Sequence, residues 1–558
     1  AASDVYKRQV INLHRRLLHL TQIVWSYANG GPHLNERLSD AAMNARTENQ
    51  RLLRGFRTKF ISSTKFGSRF LALLDRSDVG VWRLERDEAR NDRWWMNVTL
   101  PTHAAELFDI QLELQVLYTE YPHLEPRTLS LLQSRLNNMR VDPGVAIIVS
   151  ADPDGPQLAS RRRGDISLIM VDVTKLGEDE RDVRARIAQV LTTIDHFDIT
   201  NPIQDPSGFY GRKHELDTLR QSLDRGQSVG VFGLRKAGKT SLLNSLQRMR
   251  TDAGRPVVKV DISEVASADD FRLKLLTRSW QVVSADPGNA AIPRLRLLSV
   301  SGEVRFDLPE IKLYWIEDLR KIIHASIRRL ELFVDEIVQA YPPRSNLPTE
   351  DSEGLFQSLT QLRGLIQDAS TGDTRLVLVC AGVDPALFEQ PVLAGRDNLV
   401  YKLVRLMWLS PMSRDEMAEM VRGLGRRMGV RIRDYRSIDL LFSEYGGHPL
   451  LSRKACSIAA KGRRPEDLPL ELDLERIQDA VAARGENSAF QQALDVLVSF
   501  EEWFPDEAEI VELLNSSSIA EQDLAREIIR EDPLVISHAV SYGICDEQFE
   551  PRIRAALR

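Results

Sequence analysis

The stretch that decides the fold is GVFGLRKAGKTSLLNSL, residues 230–246. An apolar run that reads as a β-strand leads into it, and SLLNSL opens a helical pattern. Between them lies the G-x4-G-K-T spacing of a loop whose backbone N–H groups turn inward around phosphate oxygens, at a helix N-terminus that favours anions. The strand, loop and helix agree, so we predict nucleotide contacts from Gly233, Gly238, Lys239, Thr240 and Ser241.

Two of these residues carry distinct chemistry. Lys239 has the length to reach the β- and γ-phosphates of a bound nucleotide, which also gives it a catalytic role. The hydroxyl of Thr240 is placed to hold Mg²⁺. The bland alternative is a glycine-rich turn that happens to fit the pattern, and the strand before it and the helix after it argue against that interpretation.

A second motif, LELFVDE at residues 330–336, supplies carboxylates. Apolar residues run up to Asp335 and Glu336, so the acids emerge at the carboxyl end of a buried strand. Asp335 is predicted to hold Mg²⁺, and Glu336 to polarise the attacking water as a general base. The alternative is an edge strand that ends in solvated acids. The pairing with the phosphate loop favours hydrolysis.

The strand RLVLVCAG, residues 375–382, bears on the choice of nucleotide. It runs into VDPAL and lacks the Asn-Lys-x-Asp run that selects guanine in most GTPases of this kind, so ATP and ADP are expected. The end of this strand is also where a residue that senses the γ-phosphate would lie, but no side chain there is of the usual type. Farther along the chain, Arg396 and Arg405 are equal candidates for an arginine finger. The residues available in the sensor position are Cys380, Ala381, Gly382 and Asp384.

Composition excludes several classes of protein. The chain has 558 residues, of which 43% are hydrophobic and 28% charged, with a net charge of −6. These values are typical of a soluble, multidomain protein without a general attraction to nucleic acid. The three cysteines form no metal or disulfide pattern, no apolar run approaches the length of a membrane span, and no signal peptide is evident, so a cytoplasmic location is expected.

The chain is predicted to be α/β, with a P-loop NTPase domain, a helical lid and a C-terminal winged helix after a helical segment and a small α/β domain. SDVYKRQ, residues 3–9, resembles a translated sequencing adaptor, so native sequence is expected from Val10, and whether either end is truncated stays open. The predicted divisions are 1–9 (adaptor), 10–75 (basic helices), 76–200 (small α/β domain), 201–411 (ATPase core), 412–485 (lid) and 486–558 (winged-helix-like domain).

Several elements follow from local pattern. Near-continuous apolar runs predict core strands at 228–233, 256–261, 329–335, 375–380 and 401–409, and strands of the small domain at 145–150 and 166–173. A helix is predicted over 125–139 and a proline-containing loop over 286–310. In the small domain, Asp172 and Lys175 miss the spacing of a common metal-nuclease motif by one residue, so its role is not assigned.

The two ends carry opposite charge. Residues 486–558 hold 16 acidic residues against five arginines and no lysine, a net charge of −11 that disfavours DNA binding. Residues 10–76 hold 11 basic residues against four acidic ones. The basic helices are either a solvated face or a surface for nucleic acid, anionic lipid or an acidic protein. One hypothesis is that they dock on the acidic end domain in the resting state.

Two further motifs carry a family resemblance. FYGRKHEL lies at residues 209–216 and YGGHPLL at 445–451. Together with GLRKAGKT and LFVDE, they resemble the prokaryotic members of the STAND class, the signal-transduction ATPases with numerous domains, which are related to AAA+ proteins. The resemblance covers about residues 200–558. It implies a winged helix at PLVISHAVSYGICDEQFE, residues 533–550, with Tyr542 and Gly543 before the wing.

The resemblance also implies site residues and a mechanism. Phe209 and Tyr210 would line the adenine pocket and Gly211 and Arg212 would shape its turn. From the lid, Pro449 would pack on adenine and His448 would approach the phosphates; a helix cap with a proline turn is the alternative for this stretch.

In that class, a closed ADP state opens on exchange for ATP and self-associates, and slow hydrolysis resets it. Two other functions stay open on the sequence alone. They are a replication-initiator-like, DNA-associated AAA+ ATPase and a nucleotide-stabilised scaffold with little turnover.

Overall fold

The computed structural model describes residues 51–558 except 88–89, 91, 109, 139–140, 156–165, 177, 179–180, 194, 200, 204–208, 306–309, 343–344, 368–374, 394 and 555–558. The predicted helices within 10–50 therefore lie outside the described residues. The chain divides into two compact units. The first comprises Ala1–Thr102, Gln111–Arg162 and Leu168–Arg184, and the second His103–Ile110, Arg163–Ser167 and Ala185–Arg558.

The first unit is built on a five-stranded sheet. Residues 51–63 are helical, as their apolar spacing predicts. The sheet has the order β1-β2-β3-β4-β5, with antiparallel pairing from β1 to β3 and parallel pairing of β3 with β4. The elements of this part of the chain are α1 Gly67–Arg76, β1 Gly80–Arg86, β2 Arg93–Thr99, α2 Thr102–Phe108, β3 Glu113–Thr119, α3 Pro126–Asn138, β4 Val145–Ser150, β5 Ser167–Asp172 and α4 Val183–Thr193. Of these, α2 after Thr102, Ser167 of β5 and α4 from Ala185 onward belong to the second unit.

The core of the second unit is a parallel sheet in the order β12-β6-β9-β8-β7. Every residue of β6, β8 and β9 is buried, because helices cover both faces. The elements of this core are α5 Lys213–Asp224, β6 Val229–Phe232, α6 Lys239–Asp252, β7 Val257–Asp261, α7 Ala268–Ser284, α8 Ile311–Ala325, β8 Leu330–Asp335, α9 Thr349–Ile366, β9 Leu376–Gly382, α10 Ala386–Glu389, β10 Val392–Leu393, β11 Arg396–Asp397 and β12 Arg405–Trp408.

A buried ion pair fixes α6 on this sheet. Arg250 of α6 binds Glu331 of β8 through two nitrogens, with its Nε 2.9 Å from Oε2 and its Nη2 2.5 Å from Oε1. The side chains are 5% and 1% exposed. Removing Arg250 leaves Glu331 as an uncompensated buried charge, so this pair specifies how α6 lies against the strands.

Helices follow the core, and two short strands, β13 and β14, pair in parallel among them. The C-terminal part is helical, and its wing is reduced in the described residues to one antiparallel bridge between Cys545 and Pro551. These elements are α11 Arg414–Arg426, β13 Val430–Arg431, α12 Tyr435–Tyr445, α13 Pro449–Ala459, β14 Leu470–Glu471, α14 Leu474–Ala482, α15 Ala489–Trp503, α16 Pro505–Asn515, α17 Ile519–Glu531 and α18 Ser537–Ser541.

The arrangement confirms the predicted α/β fold class with a P-loop between β6 and α6. Each of the five core strands falls within one or two residues of its predicted position except β12, which is shorter than the apolar run at 401–409. None of the described helices is both long and apolar enough to cross a bilayer.

Candidate nucleotide-binding site

The P-loop occupies the carboxyl edge of the parallel sheet. It connects Phe232, the last residue of β6, to Lys239, the first residue of α6. Gly238 has a φ of 102° and Lys236 a φ of 58°, so the loop makes two left-handed turns before the helix begins. Gly238 needs to be a glycine because residues with a Cβ are strongly disfavoured at its φ. The backbone N–H groups of the first turn of α6 remain available for an anion.

Lys239 is buried in this loop. It is 7% exposed, and its Nζ donates hydrogen bonds to the carbonyl oxygens of Gly233 and Leu234, each at 2.9 Å. Burial lowers the pKa of the Lys239 amine to about 8, while Glu336 and Asp335 oppose that shift. The amine is thus a mostly protonated donor that neutral carbonyls hold inside the loop, ready to exchange them for charged oxygens.

The acids of the second motif lie at the same edge of the sheet. Asp335 ends β8 and is 1% exposed. Its Oδ1 accepts from the N–H of Glu336 at 3.1 Å, and its Oδ2 has no hydrogen-bond partner among the described residues. Glu336 has a left-handed backbone, with φ 51° and ψ 45°. A non-glycine residue in this conformation is strained, and such strain is concentrated at functional sites.

The surroundings of Glu336 suit a base. Burial raises the pKa of this carboxyl group. The positive charge of Lys239 opposes the rise, whereas Asp335 and Asp261 add to it. A carboxylate with a raised pKa accepts protons more readily than one in water.

A divalent cation fits these residues. Thr240 follows Lys239 in the first turn of α6, and Asp335 presents a buried carboxylate oxygen that has no hydrogen-bond partner among the described residues. Mg²⁺ keeps several water ligands and binds proteins through one or two side chains plus substrate phosphates. In the described part of the chain there is no group of three His, Cys, Asp or Glu side chains placed to hold a metal ion. A hydroxyl and a carboxylate nevertheless match what Mg²⁺ requires in a phosphate site.

Two further side chains join α6 to this edge. Lys259 of β7 lies with its Nζ 3.6 Å from Oδ2 of Asp335. The same Nζ donates to Oδ1 of Asn244 at 2.6 Å. Asn244 is one helical turn after Thr240, so the two residues lie on the same side of α6.

The predicted adenine-pocket residues connect the core to the lid. Arg212 is buried with a φ of 61°, and its Nη1 donates to Glu215 at 2.8 Å and to the Ser410 carbonyl at 2.6 Å. Its backbone N–H donates to Oε1 of Glu416, in the first turn of α11, at 2.9 Å.

The preceding residues face the same helix. A Cβ on Gly211 would lie 3.0 Å from Oε1 of Glu416. A Cβ on Gly423 of α11 would lie 2.4 Å from the Tyr210 hydroxyl, so the Tyr210 ring packs where α11 has no side chain. Phe209 is half-buried. Residues 209–212 are therefore fitted to α11, the first helix of the predicted lid.

His448, in the predicted lid, interacts with residues of the P-loop. It is 1% exposed, and neither ring nitrogen completes a hydrogen bond within the described part of the chain. Burial lowers the pKa of His448 to about 4, an effect that the backbone of Arg235 opposes and the cations Arg212, Lys239 and Lys236 reinforce. The imidazole is therefore neutral at physiological pH and lies among the cations of the phosphate loop.

The glycines before His448 set this approach. Gly447 has a φ of 81°, and its carbonyl accepts from the N–H of Met412 at 3.0 Å. A Cβ on Gly447 would lie 2.0 Å from the Met412 carbonyl oxygen, so a larger residue does not fit. Pro449 occupies the first turn of α13, where proline needs no N–H partner.

The candidates for a γ-phosphate sensor and for an arginine finger lie at separate places in the structure. Asp384 is 5% exposed and accepts from the N–H of Ala386 at 2.9 Å, and the Gly382 carbonyl accepts from the Gly233 N–H at 3.4 Å. Arg405 begins β12 opposite Val229, at the edge of the sheet away from the P-loop. Arg396 is exposed in the β10–β11 hairpin. Cys380 is fully buried, and burial raises the pKa of its thiol well above the usual range.

Residues 195–199 and 201–203, called the strap below, precede the core, and contacts hold them at both ends. Arg453 of α13 donates to the carbonyls of His196, at 3.3 Å, Phe197, at 3.2 Å, and Ile199. Further on, the N–H of Ile203 donates to Oγ of Ser241 in α6 at 3.0 Å. The strap therefore contacts the lid at one end and the P-loop helix at the other.

The C-terminal helices pack on the parallel-sheet core through His538. Its Nδ1 lies 2.6 Å from Glu507 of α16 and its Nε2 3.2 Å from Glu389 of α10. The ring stacks on Phe504, with centroids 4.5 Å apart, and lies edge-on to Trp408 of β12. Burial lowers the pKa of His538, but the hydrogen bonds to the two carboxylates outweigh it and raise the pKa to about 9.

This pKa predicts a pH-dependent stability. The folded value lies above the ordinary value of 6.5, so the contribution is full below about pH 6.5 and is lost as pH rises through 9. We expect the wild-type melting temperature to fall more between pH 6.5 and 9.5 than that of His538→Gln, measured by calorimetry in the same buffers. Parallel curves for the two proteins would contradict this assignment.

Sequence reasoning overlooked Lys259, Asn244, Glu416, Arg453 and His538. One signal was available: a lysine interrupts the otherwise apolar strand VVKVD, residues 257–261. The other contacts join segments from 15 to 257 residues apart along the chain, and no local pattern encodes such pairs.

No protein-family model matches the chain, and no curated protein matches it. Among solved structures, a Walker-type ATPase of Pyrococcus abyssi is 14% identical, with a TM-score of 0.41, over 65% of this chain and 99% of that one. The Orc1 protein of Aeropyrum pernix in complex with DNA is 13% identical, with a TM-score of 0.30, over 61% and 85%. Cdc6p from Pyrobaculum aerophilum is 15% identical, with a TM-score of 0.31, over 65% and 96%. The P-loop NTPase fold itself rests on the strand order and the loop described above.

Proposed function

We propose that the chain is an ATP-binding and ATP-hydrolysing switch of the STAND type, in which nucleotide exchange changes the contacts of lid and core and drives self-association. One observation carries the proposal: a buried P-loop lysine, a strand-terminal acid pair and a lid histidine converge at one edge of the parallel sheet. Slow, regulatory turnover fits a switch better than continuous work.

The residues divide the chemistry among them. Lys239 would leave the Gly233 and Leu234 carbonyls and bind phosphate oxygens, which are stronger acceptors. Thr240 and Asp335 would hold Mg²⁺, which neutralises phosphate charge when bound. Glu336 would take a proton from the attacking water. This assignment is consistent with the raised pKa of Glu336.

The lid would read the nucleotide. A neutral His448 ring has one N–H to donate and is held among P-loop cations, so a phosphate oxygen is a suitable partner. Tyr210, packed on Gly423, would form one wall of the adenine pocket with Phe209 and Pro449. Because Glu416 binds the Arg212 backbone, a shift of α11 and a change in the pocket would be coupled.

The decisive experiment compares the mass of purified Glu336→Gln by light scattering with ATP and with ADP. We expect a larger assembly with ATP alone, since this variant should hold unhydrolysed nucleotide. Lys239→Ala with ATP is the matched control and should keep the mass of the ADP state. Equal masses with both nucleotides would reject the switch. Salt-sensitive binding to duplex DNA would then favour the replication-initiator alternative, and one tightly held ADP without turnover would favour the scaffold.

A further inference from the structure

The buried Asp335 carboxylate poses an electrostatic problem before any metal binds. It is 1% exposed, and one of its oxygens has no hydrogen-bond partner among the described residues. An unpaired charge in such a place is strongly destabilising. The Lys239 amine donates hydrogen bonds to the Gly233 and Leu234 carbonyls and acts on Asp335 only through a longer-range charge interaction. Another cation must compensate the carboxylate.

Lys259 is that cation. It lies on β7, next to β8, where Asp261 pairs with Asp335 in the register. Because Lys259 is two residues before Asp261, both side chains lie on the face of the sheet that carries Asp335. The Lys259 Nζ is 3.6 Å from the unpaired Oδ2, and the side chain is 17% exposed.

The amine is also held from the opposite side. Asn244 accepts a hydrogen bond from Nζ at 2.6 Å, so the lysine does not depend on Asp335 alone for its orientation. Asn244 stands one turn after Thr240 on α6. Lys259 thus links Asn244 of α6 to Asp335 of β8, on the side of α6 that carries Thr240.

We propose that Lys259 is a positioning residue for the candidate metal site, serving as the resident counter-ion of Asp335 and holding its carboxylate beside the P-loop helix until a divalent cation takes over that charge. The proposal rests on the proposed function in that it takes Asp335 as a metal ligand. Two consequences follow. The metal-free protein depends on Lys259 for stability, and Lys259 weakens the binding of a divalent cation by like-charge repulsion.

The first consequence is tested without nucleotide. In EDTA, Lys259→Met should lower the melting temperature by about 5 °C or more, because it strands a buried charge. Lys259→Arg should restore most of the loss. Lys259→Met combined with Asp335→Asn should be less destabilised than Lys259→Met alone, because no uncompensated carboxylate remains. Additive effects of the two substitutions would overturn the counter-ion role, whether or not the protein binds ATP.

The second consequence is tested with Mn²⁺ as the probe, by electron paramagnetic resonance of the full chain saturated with ADP. Lys259→Met should bind Mn²⁺ about tenfold more tightly than the wild type, and Lys259→Arg should resemble the wild type. Equal or weaker binding by Lys259→Met would overturn the proposal. If the wild type binds neither ADP nor Mn²⁺, the proposed function fails instead, and the melting experiment in EDTA still decides the role of Lys259.

Discussion

Lys239→Ala is expected to abolish detectable nucleotide binding, a loss in affinity of about 100-fold or more. The side chain is buried and its amine already occupies two acceptors in the loop. Alanine removes a buried cation of the loop that can bind the phosphates. Isothermal titration with ADP and ATP would measure the effect, with circular dichroism to establish that the variant is folded.

Lys236→Ala is the matched control for that experiment. Lys236 belongs to the same loop and carries the same charge, but its side chain is exposed. We expect it to lose less than about fivefold in affinity, since a solvated charge contributes little to binding. A similar loss in both variants would show that the general charge of the loop matters, and not the position of Lys239.

Glu336→Gln is expected to keep nucleotide affinity and to lower turnover by about 100-fold or more, the usual contribution of a general base. Glutamine has nearly the same shape but cannot accept the proton from water. The strained backbone at φ 51° is retained, because both residues have similar backbone preferences. Phosphate release under saturating ATP and Mg²⁺ would measure turnover, and titration would measure affinity.

Glu350→Gln provides the control for this substitution. Glu350 is exposed in the first turn of α9, away from the site, and its substitution by glutamine changes the charge by the same amount. Its turnover should match that of the wild type. Wild-type turnover by Glu336→Gln would refute the assignment of Glu336 as the base.

The sequence predicted the central part of the fold well because its signals are local. A phosphate loop must follow a strand and precede a helix, and the apolar runs of β6, β8 and β9 are too hydrophobic to lie anywhere but inside a covered sheet. The position of Asp335 and Glu336 beside the P-loop was predictable for the same reason, since the carboxyl ends of parallel strands share one edge; their roles stay a prediction.

What the sequence did not reveal depends on contacts between distant segments. Lys259 acquires its meaning from the register of β7 on β8, and Arg453 from a segment more than 250 residues earlier. Within the described residues, the wing expected near the C-terminus consists of one bridge, and the end domain packs its helices around Phe500, Phe504 and Tyr542. The basic N-terminal helices lie largely outside the described residues, so their docking on the acidic end domain stays a prediction.

The strap limits the separation of α13 from the P-loop helix for as long as its contacts hold. Arg453 holds the chain up to Ile199, and the N–H of Ile203 is fixed on Ser241 of the P-loop helix. Ile203 lies four positions after Ile199, and a fully extended chain spans about 14 Å over four positions. While both anchors hold, α13 can rotate or slide relative to the sheet edge that carries the P-loop. The strap residue that Arg453 holds, Ile199, cannot then lie more than about 14 Å from Ile203, which is bound to α6. A larger separation of α13 from α6 requires the hydrogen bonds at one anchor to break. The strap therefore sets a maximum separation, and exceeding it costs the free energy of those hydrogen bonds.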